Sequence, residues 1–288
     1  MNRKTIPLLI TMDLELAPDH DYEQQTSILS RLLADFGSVP STIFCTGTAA
    51  VGFTDHLREW TLAGSEIGCH GLTHGEEEDF RYLNEADVRR IIREASDQLE
   101  TAVGDRPRVF RGPRMRTSST TQKILEALGY QVDASVCPRR VDRPRAWLNA
   151  PRQPYHPSHE NPYRRGNRQL LVLPLSAFGL PLISGVLYLF GMTVAKTLFR
   201  LLLAEAHHEP QPALVYLFHS YEFTSRLHAA PDNRPFQQRL YISNPERRYA
   251  MHRELVEYML SFPEVKPVTA MQLCTSHQIG KNHEEIFI

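Results

Sequence analysis

A single α/β domain built as a (β/α) barrel of about seven parallel strands is the architecture this 288-residue chain predicts. Three observations carry that expectation. Short, wholly apolar runs recur along the chain and read as strands buried on both faces. Segments of helical periodicity stand between them, so the strands alternate with helices and pair in parallel. Seven or eight such units in one chain of this length suit a (β/α) barrel better than an open sheet.

Taken in order, Pro7–Met12 is the first strand, an apolar run that stops at Asp13. Leu29, Leu32, Leu33 and Phe36 mark one face of a helix over 26–36, and Gly37 ends it. Ser41–Cys45 is the second strand. A helix over 54–63 leads through Gly64 to the third strand at 66–70. Asn84 caps a long helix that Gly104 closes, and Arg108–Arg111 is strand four. Ser118 or Ser119 caps a helix to Leu128. Strands five, six and seven follow at 130–133, 170–174 and 213–219. An amphipathic helix over 245–262 and a short strand near 266–268 complete the chain. No glycine-rich dinucleotide fingerprint follows the first strand, and no internal repeat is present. The longest irregular segment, 139–168, is basic, with arginines at 139, 140, 143, 145, 152, 164, 165 and 168, and is expected to be a loop over one barrel face.

Composition narrows the function classes. A net charge of −1 argues against nucleic acid as a partner. Four cysteines without a CxxC pair fit reduced thiols. The N-terminal apolar run breaks at Asp13, too early for a secretory signal, so a cytoplasmic location is expected.

The strand ends carry the chemistry. Strand one ends at Asp13 and Glu15, strand three at His70 followed by His74, strand four at Arg111, strand five at Asp133 and strand seven at His219. In a barrel these ends converge on one face. His70 and His74 stand four apart, a spacing that on a helical turn aims both rings at one point. Two imidazoles and one carboxylate, Glu15 or Asp13, form a three-ligand set for zinc with one position left for water. On extended chain Asp13 and Glu15 point to the same side, so one can bind metal while the other takes a proton. Arg111 can pin that carboxylate, and His219, with an ordinary pKa near neutrality, can protonate a leaving group. Cys69 is expected to be a packing residue, and His207, His208 and His252 are expected at the surface.

At Thr11-Met12-Asp13-Leu14-Glu15, His70-Gly71-Leu72-Thr73-His74, Phe110-Arg111-Gly112-Pro113 and Leu217-Phe218-His219 the chain resembles the polysaccharide deacetylase family, carbohydrate esterase family 4, over about residues 7–220. The resemblance implies a distorted (β/α) barrel and metal-dependent hydrolysis of an N-acetyl group from an amino sugar. It implies Asp13 as base, His70 and His74 as metal ligands, Arg111 as the residue orienting the base and His219 as acid. The common first motif has two adjacent aspartates. Here Leu14 takes the second place and Glu15 follows, which looks like the family's DxE-type subgroup with Glu15 as the third metal ligand. Arg114-Met115 stands where the family usually has a tyrosine, and Asp133-Ala134-Ser135 is the nearest counterpart of the usual Asp-Trp pair, which implies that Asp133 supports Arg111 or His219.

From Leu170 to Ala195 no residue is charged. By length this stretch could span a bilayer, but a single crossing would separate His219 from Asp13. The expectation is an apolar loop and helix, inserted at 178–203, that either lies in a membrane interface or packs on the barrel. An interfacial helix fits a lipid-linked amino sugar, polyprenyl-phosphate-linked, at the cytoplasmic membrane face, with the basic loop meeting phosphates. The alternatives are a deformylase or other linear-amide hydrolase on the same scaffold, or a non-catalytic sugar- or lipid-binding barrel.

Overall fold

The computed structural model describes residues 4–16, 21–138, 149–225 and 244–285, with side chains to 278. Its centre is β1 (Ile6–Leu14), which is buried over almost its whole length. To one side lies β2 (Ser41–Cys45), followed in order by β3 (Glu66–Cys69), β4 (Val109–Phe110), β5 (Val132–Asp133) and β6 (Leu171–Val172), every pair parallel. On its other side β1 pairs with β9 (Leu214–His219), and its first residues also pair with β10 (Val265–Pro267). The antiparallel hairpin of β7 (Ala177–Phe178) and β8 (Leu180–Pro181) stands apart. Seven parallel strands form a continuous path, with β9 beside β1, and the sheet curls into a half-barrel, consistent with the expected distorted (β/α) barrel. Between β6 and β9 no regular ladder forms. There Leu175 N–H donates to Val136, Val215 N–H donates to Ser176 Oγ, and Ile183 bridges Leu217.

Side-chain alternation divides the core in two. Leu9, Phe44, Val109, Val132, Leu171, Leu173, Val215 and Leu217 pack together inside the curl. Leu8, Ile10, Met12, Leu14, Ile43, Cys45, Ile67, Phe110, Tyr216 and Phe218 face the outer helices. Those helices are α1 (Tyr22–Phe36), α2 (Gly47–Gly52), α3 (Thr54–Leu62), α4 (Glu85–Val103), α5 (Ser119–Ala127), α6 (Ser184–Ala206) and α7 (Pro245–Leu260), whereas α8 (Ala270–Glu285) packs Ala270, Leu273 and Cys274 against the inner cluster. Their starts follow capping chemistry: Asp21, Thr46, Asn84, Ser118 and Asn244 each accept a backbone N–H of the first turn. The first helix begins four residues earlier than its apolar periodicity indicates, because the Asp21 cap sets its start.

Two surface expectations are corrected. His252 is not exposed: it sits on the inward face of α7, 1% accessible, among Phe36, Tyr216, Phe218 and Phe223, with Nδ1 bonded to the Tyr216 hydroxyl at 3.0 Å. Burial pushes its pKa down to about 3. The second half of the basic segment is structural. Arg152 pairs with Glu205, Arg168 pairs with Glu126 at 2.6 Å, and Pro157 bridges Arg165. Arginines 139, 140, 143 and 145 lie outside the described residues. The four cysteines are free and buried, including Cys69 on the outer side of β3.

The apolar insertion resolves into the β7–β8 hairpin and α6, which breaks at Gly191 (φ 82°, ψ 173°). Ser184–His208 is long and apolar enough to cross a membrane by length and composition. Yet Leu198, Phe199, Leu202, Leu203 and Ala206 bury one face against the barrel, and Lys196 pairs with Glu254 of α7. Phe178, Phe190, Val194 and Leu201 remain exposed on the other side.

Candidate active site

Asp13, Glu15, His70, Arg111 and His219 all belong to the inward-facing parity of their strands, at the C-terminal ends. Asp13 and Glu15 continue the series of Leu9 and Thr11, and His219 lies in register with Asp13 on the neighbouring strand. Gly68, two residues before His70, makes room for this interior: a Cβ there would meet Val109 Cγ2 at 2.6 Å. Leu14 falls on the opposite face, in the layer between sheet and helices.

Glu15, His70 and His74 converge. One donor atom from each lies within 4.8 Å of the other two. His74 Nε2 is 3.3 Å and His70 Nε2 3.6 Å from Glu15 Oε2. The histidines do not share a helical turn. His70 ends β3, Gly71 (φ 77°) reverses the chain, and His74 sits in left-handed backbone (φ 65°). A bent loop brings the rings together, their centroids 5.3 Å apart. That loop is braced from two directions. The buried Glu78 carboxylate accepts the N–H groups of Leu72 (2.9 Å) and Thr73 (2.6 Å). Arg114 donates to the carbonyls of His74 (2.8 Å) and Gly75 (3.1 Å). Neither brace was recognised in the sequence. Arg114, in the place of the family's tyrosine, was a visible signal.

The donor set fits a metal ion. His70 Nδ1–H donates to the Arg111 carbonyl at 2.7 Å, since that oxygen can only accept, and this turns the Nε2 lone pair toward Glu15. His70 Nε2 and Glu15 Oε2 are buried with no hydrogen-bond partner, and their 3.6 Å separation is too long for one. These two unsatisfied atoms, with His74 Nε2 beside them, match the carboxylate and two imidazoles that a tetrahedral metal site takes from a protein.

Asp13 is next to this group but is engaged elsewhere. Its Oδ1 accepts from Arg111 Nη1 at 2.7 Å, and Oδ2 stands 3.6 Å from His70 Nε2. Arg111 is fully buried, with its guanidinium 4.1 Å above the Phe44 ring, and also donates to Thr11 Oγ1 and the Ala134 carbonyl. Burial opposes ionisation of Asp13, but Arg111, His70 and His219 outweigh it and hold the carboxyl below its usual range. Glu15 shows the same balance, burial against the three histidines, and lies at about 2. Both are carboxylates at neutral pH. Burial, opposed by Glu15, lowers His74 to about 4.

His219 differs from expectation. Burial would lower its pKa, but Glu222, Asp13 and Glu15 raise it to about 9, so the ring carries its proton at neutral pH instead of titrating there. Its Nδ1 donates to Glu222 Oε1 at 3.0 Å. Asp133 supports neither His219 nor the Arg111 side chain, because strand alternation turns it outward between Val132 and Ala134. There it binds Thr117, Gln122 and Ser135, and Ser135 Oγ accepts the Gly112 N–H at 2.7 Å. Burial raises its pKa. It thus fixes the backbone after Arg111.

Residues 13–132 match the family model described as polysaccharide deacetylase, a stretch that includes Asp13, Glu15, His70, His74 and Arg111 and ends before His219. No curated protein sequence matches significantly. Among solved structures, one from Mycobacterium smegmatis assigned to the polysaccharide deacetylases superposes with a TM-score of 0.63 at 20% identity, covering 97% of this chain and 92% of that one. A family 4 carbohydrate esterase from Streptomyces lividans, in complex with acetate, gives 0.50 at 14% identity, covering 91% of each. A mutant of a Bacillus anthracis family 4 pseudoenzyme, with restored activity, gives 0.52 at 14% identity, covering 95% of this chain and 69% of that one. At these identities the structures establish a common fold. The family model thus matches the stretch that carries most of the strand-end residues, and the solved structures share the fold along nearly the whole chain, so the chain is similar to the polysaccharide deacetylases in both.

Proposed function

We propose that the protein is a metal-dependent hydrolase that removes an N-acetyl group from an amino sugar. The observation that carries this reading is the convergence of Glu15, His70 and His74 beside the separate Asp13–Arg111 pair, with His219 in register across β1. Glu15, His70 and His74 would hold a divalent ion, with zinc the first choice for two imidazoles and one carboxylate. When bound, such an ion supplies Lewis acidity at the scissile carbonyl and at the attacking water. Asp13, ionised and held by Arg111, accepts the proton that water loses on attack. Arg111 fixes that carboxylate in its reactive orientation. The protonated His219 gives its proton to the departing amine nitrogen, so amide and water become amine and acetate. Separate carboxylates for the metal and for the proton let both tasks proceed at once.

The substrate we infer is a lipid-linked amino sugar, carried on a polyprenyl phosphate at the cytoplasmic membrane face, with the protein peripheral on that surface. Support comes from the insertion at 178–203: Phe178, Phe190 and Val194 are exposed on the hairpin and around the break of α6, whose first turn reaches the site through Ser184.

Comparing lipid-linked sugars from cells with and without the protein by mass spectrometry tests the reaction. A loss of one acetyl group that requires the protein and disappears with His70→Ala supports it. A one-formyl change replaces deacetylation with deformylation. No change in any amino sugar, together with purified protein that binds no stoichiometric zinc, refutes the reading.

A further inference from the structure

Helix α6 enters the catalytic face through one carboxylate. Glu222 is in the helical turn Ser220–Phe223 directly after His219 and is buried. Its Oε1 accepts two hydrogen bonds, from His219 Nδ1 at 3.0 Å and from Ser184 Oγ at 2.8 Å. Ser184 is the first residue of α6 and is itself buried. Tyr188, one turn further along the same helix face, lies close enough that burial and the Glu222 charge push its phenol well above the ordinary value. From the opposite side, Arg248 of α7 donates to the Glu222 backbone carbonyl, which fixes the turn itself. Helix α6 thus holds the Glu222 carboxylate and α7 holds its backbone, and both helices lie outside the stretch matched by the family model.

We propose that Ser184 and Glu222 are positioning residues that act on His219, so that helix α6 sets the orientation of the ring assigned as the acid. A single oxygen that accepts from both a ring N–H and a hydroxyl has its direction set by both donors. Without Ser184 Oγ, the carboxylate has a rotamer open to it that leaves Nδ1, and the ring gains freedom about χ1 and χ2. This inference rests on the proposed acid role of His219 for its catalytic consequence, but the orientation itself can be measured without turnover.

The experiment uses full-length, zinc-loaded protein labelled with 15N-histidine, in the parent and in Ser184→Ala, Ser184→Thr and Glu222→Gln. In the parent, a His219 Nδ1 proton bonded to a carboxylate gives a downfield signal, assigned by its loss in His219→Gln. The expected result is an upfield shift or exchange broadening of that signal in Ser184→Ala, its return in Ser184→Thr, and its loss in Glu222→Gln, all with parent-like zinc content. On an N-acetylated chitotetraose probe, kcat falls roughly tenfold in Ser184→Ala with KM unchanged, the scale of losing an orienting partner. An unaltered His219 signal in folded Ser184→Ala overturns the relay. A relay confirmed by the spectra, with full turnover in His219→Gln, overturns the acid assignment alone.

Discussion

Replacing Asp13 by asparagine separates the two carboxylates of strand one more cleanly than any other change. Asparagine keeps the volume and one acceptor oxygen for Arg111, but removes the charge that balances a fully buried guanidinium. Arg111 Nη1 loses its 2.7 Å ion pair and retains Thr11 Oγ1 and, through Nε, the Ala134 carbonyl. Breaking a buried pair by neutralising one partner costs about 3 kcal/mol at the lower end of what such pairs show. For a domain of this size that is a fall in Tm of roughly 6–12 °C, at about 2–4 °C per kcal/mol. The proposed ligand set Glu15, His70 and His74 is untouched, so one equivalent of zinc should remain by elemental analysis. Turnover should fall roughly a hundred- to ten-thousand-fold, the range for a lost general base. Loss of the zinc would show that Asp13 is a ligand and that its role and that of Glu15 are reversed. Parent-like turnover would remove Asp13 from the chemistry altogether.

Glu15→Gln should do the converse: weaken zinc binding sharply, measured by competition with a chelator, while the Asp13–Arg111 pair and the melting temperature of the metal-free protein change little. Gly71→Ala should distort the His74 loop, since the position needs φ 77° and a Cβ would meet Glu78 Oε2 at 2.4 Å. A lower zinc affinity with an intact β-sheet signature in circular dichroism is the expected pair of results. His252 is neutral in the fold, with a pKa of about 3, and titrates at its ordinary value when unfolded. The unfolded chain therefore binds the extra proton between those values, and stability drops by up to about 1.4 kcal/mol per pH unit as pH falls below about 6.5. Urea titrations at pH 7 and 5 should show a slope that His252→Phe flattens. His219 acts with the opposite sign: its stabilisation is fully present below its ordinary pKa and is lost as pH rises through about 9. Glu222→Gln should shrink that alkaline decline, leaving the part that Asp13 and Glu15 supply.

What the sequence made legible is what alternation and strand ends encode. Strands one, three, four and seven finish on residues of the candidate site, and the two-residue period places Asp13, Glu15, His70, Arg111 and His219 inside the curl. The same rule, applied to strand five, turns Asp133 outward, which the expectation of support for Arg111 overlooked. The local braces were less visible. Glu78, Arg114 and Glu222 act from turns, where no period relates side-chain direction to position, and their partners depend on backbone conformations such as φ 65° at His74. His252 was hidden for another reason. Helix α7 carries charged residues around much of its circumference, so its buried stripe is narrow and a histidine within it reads as polar surface.

The departure of the first motif follows from the same geometry. Next to Asp13, position 14 points into the layer between sheet and helices, where Leu14 is 1% exposed, and a metal-binding carboxylate there would need the strand to twist or bulge at its last residue. Position 15 needs no such distortion, because residues two apart on extended chain share a face. Glutamate is one methylene longer than aspartate, and at position 15 that reach brings Oε2 to 3.3 Å from His74 Nε2, while Asp13 remains on Arg111. Glu15→Asp should therefore retain the charge and lose the reach. A zinc affinity between those of the parent and Glu15→Gln is the expected outcome, and parent-like affinity in Glu15→Asp would mean that the loop bearing His74 moves to meet the shorter side chain.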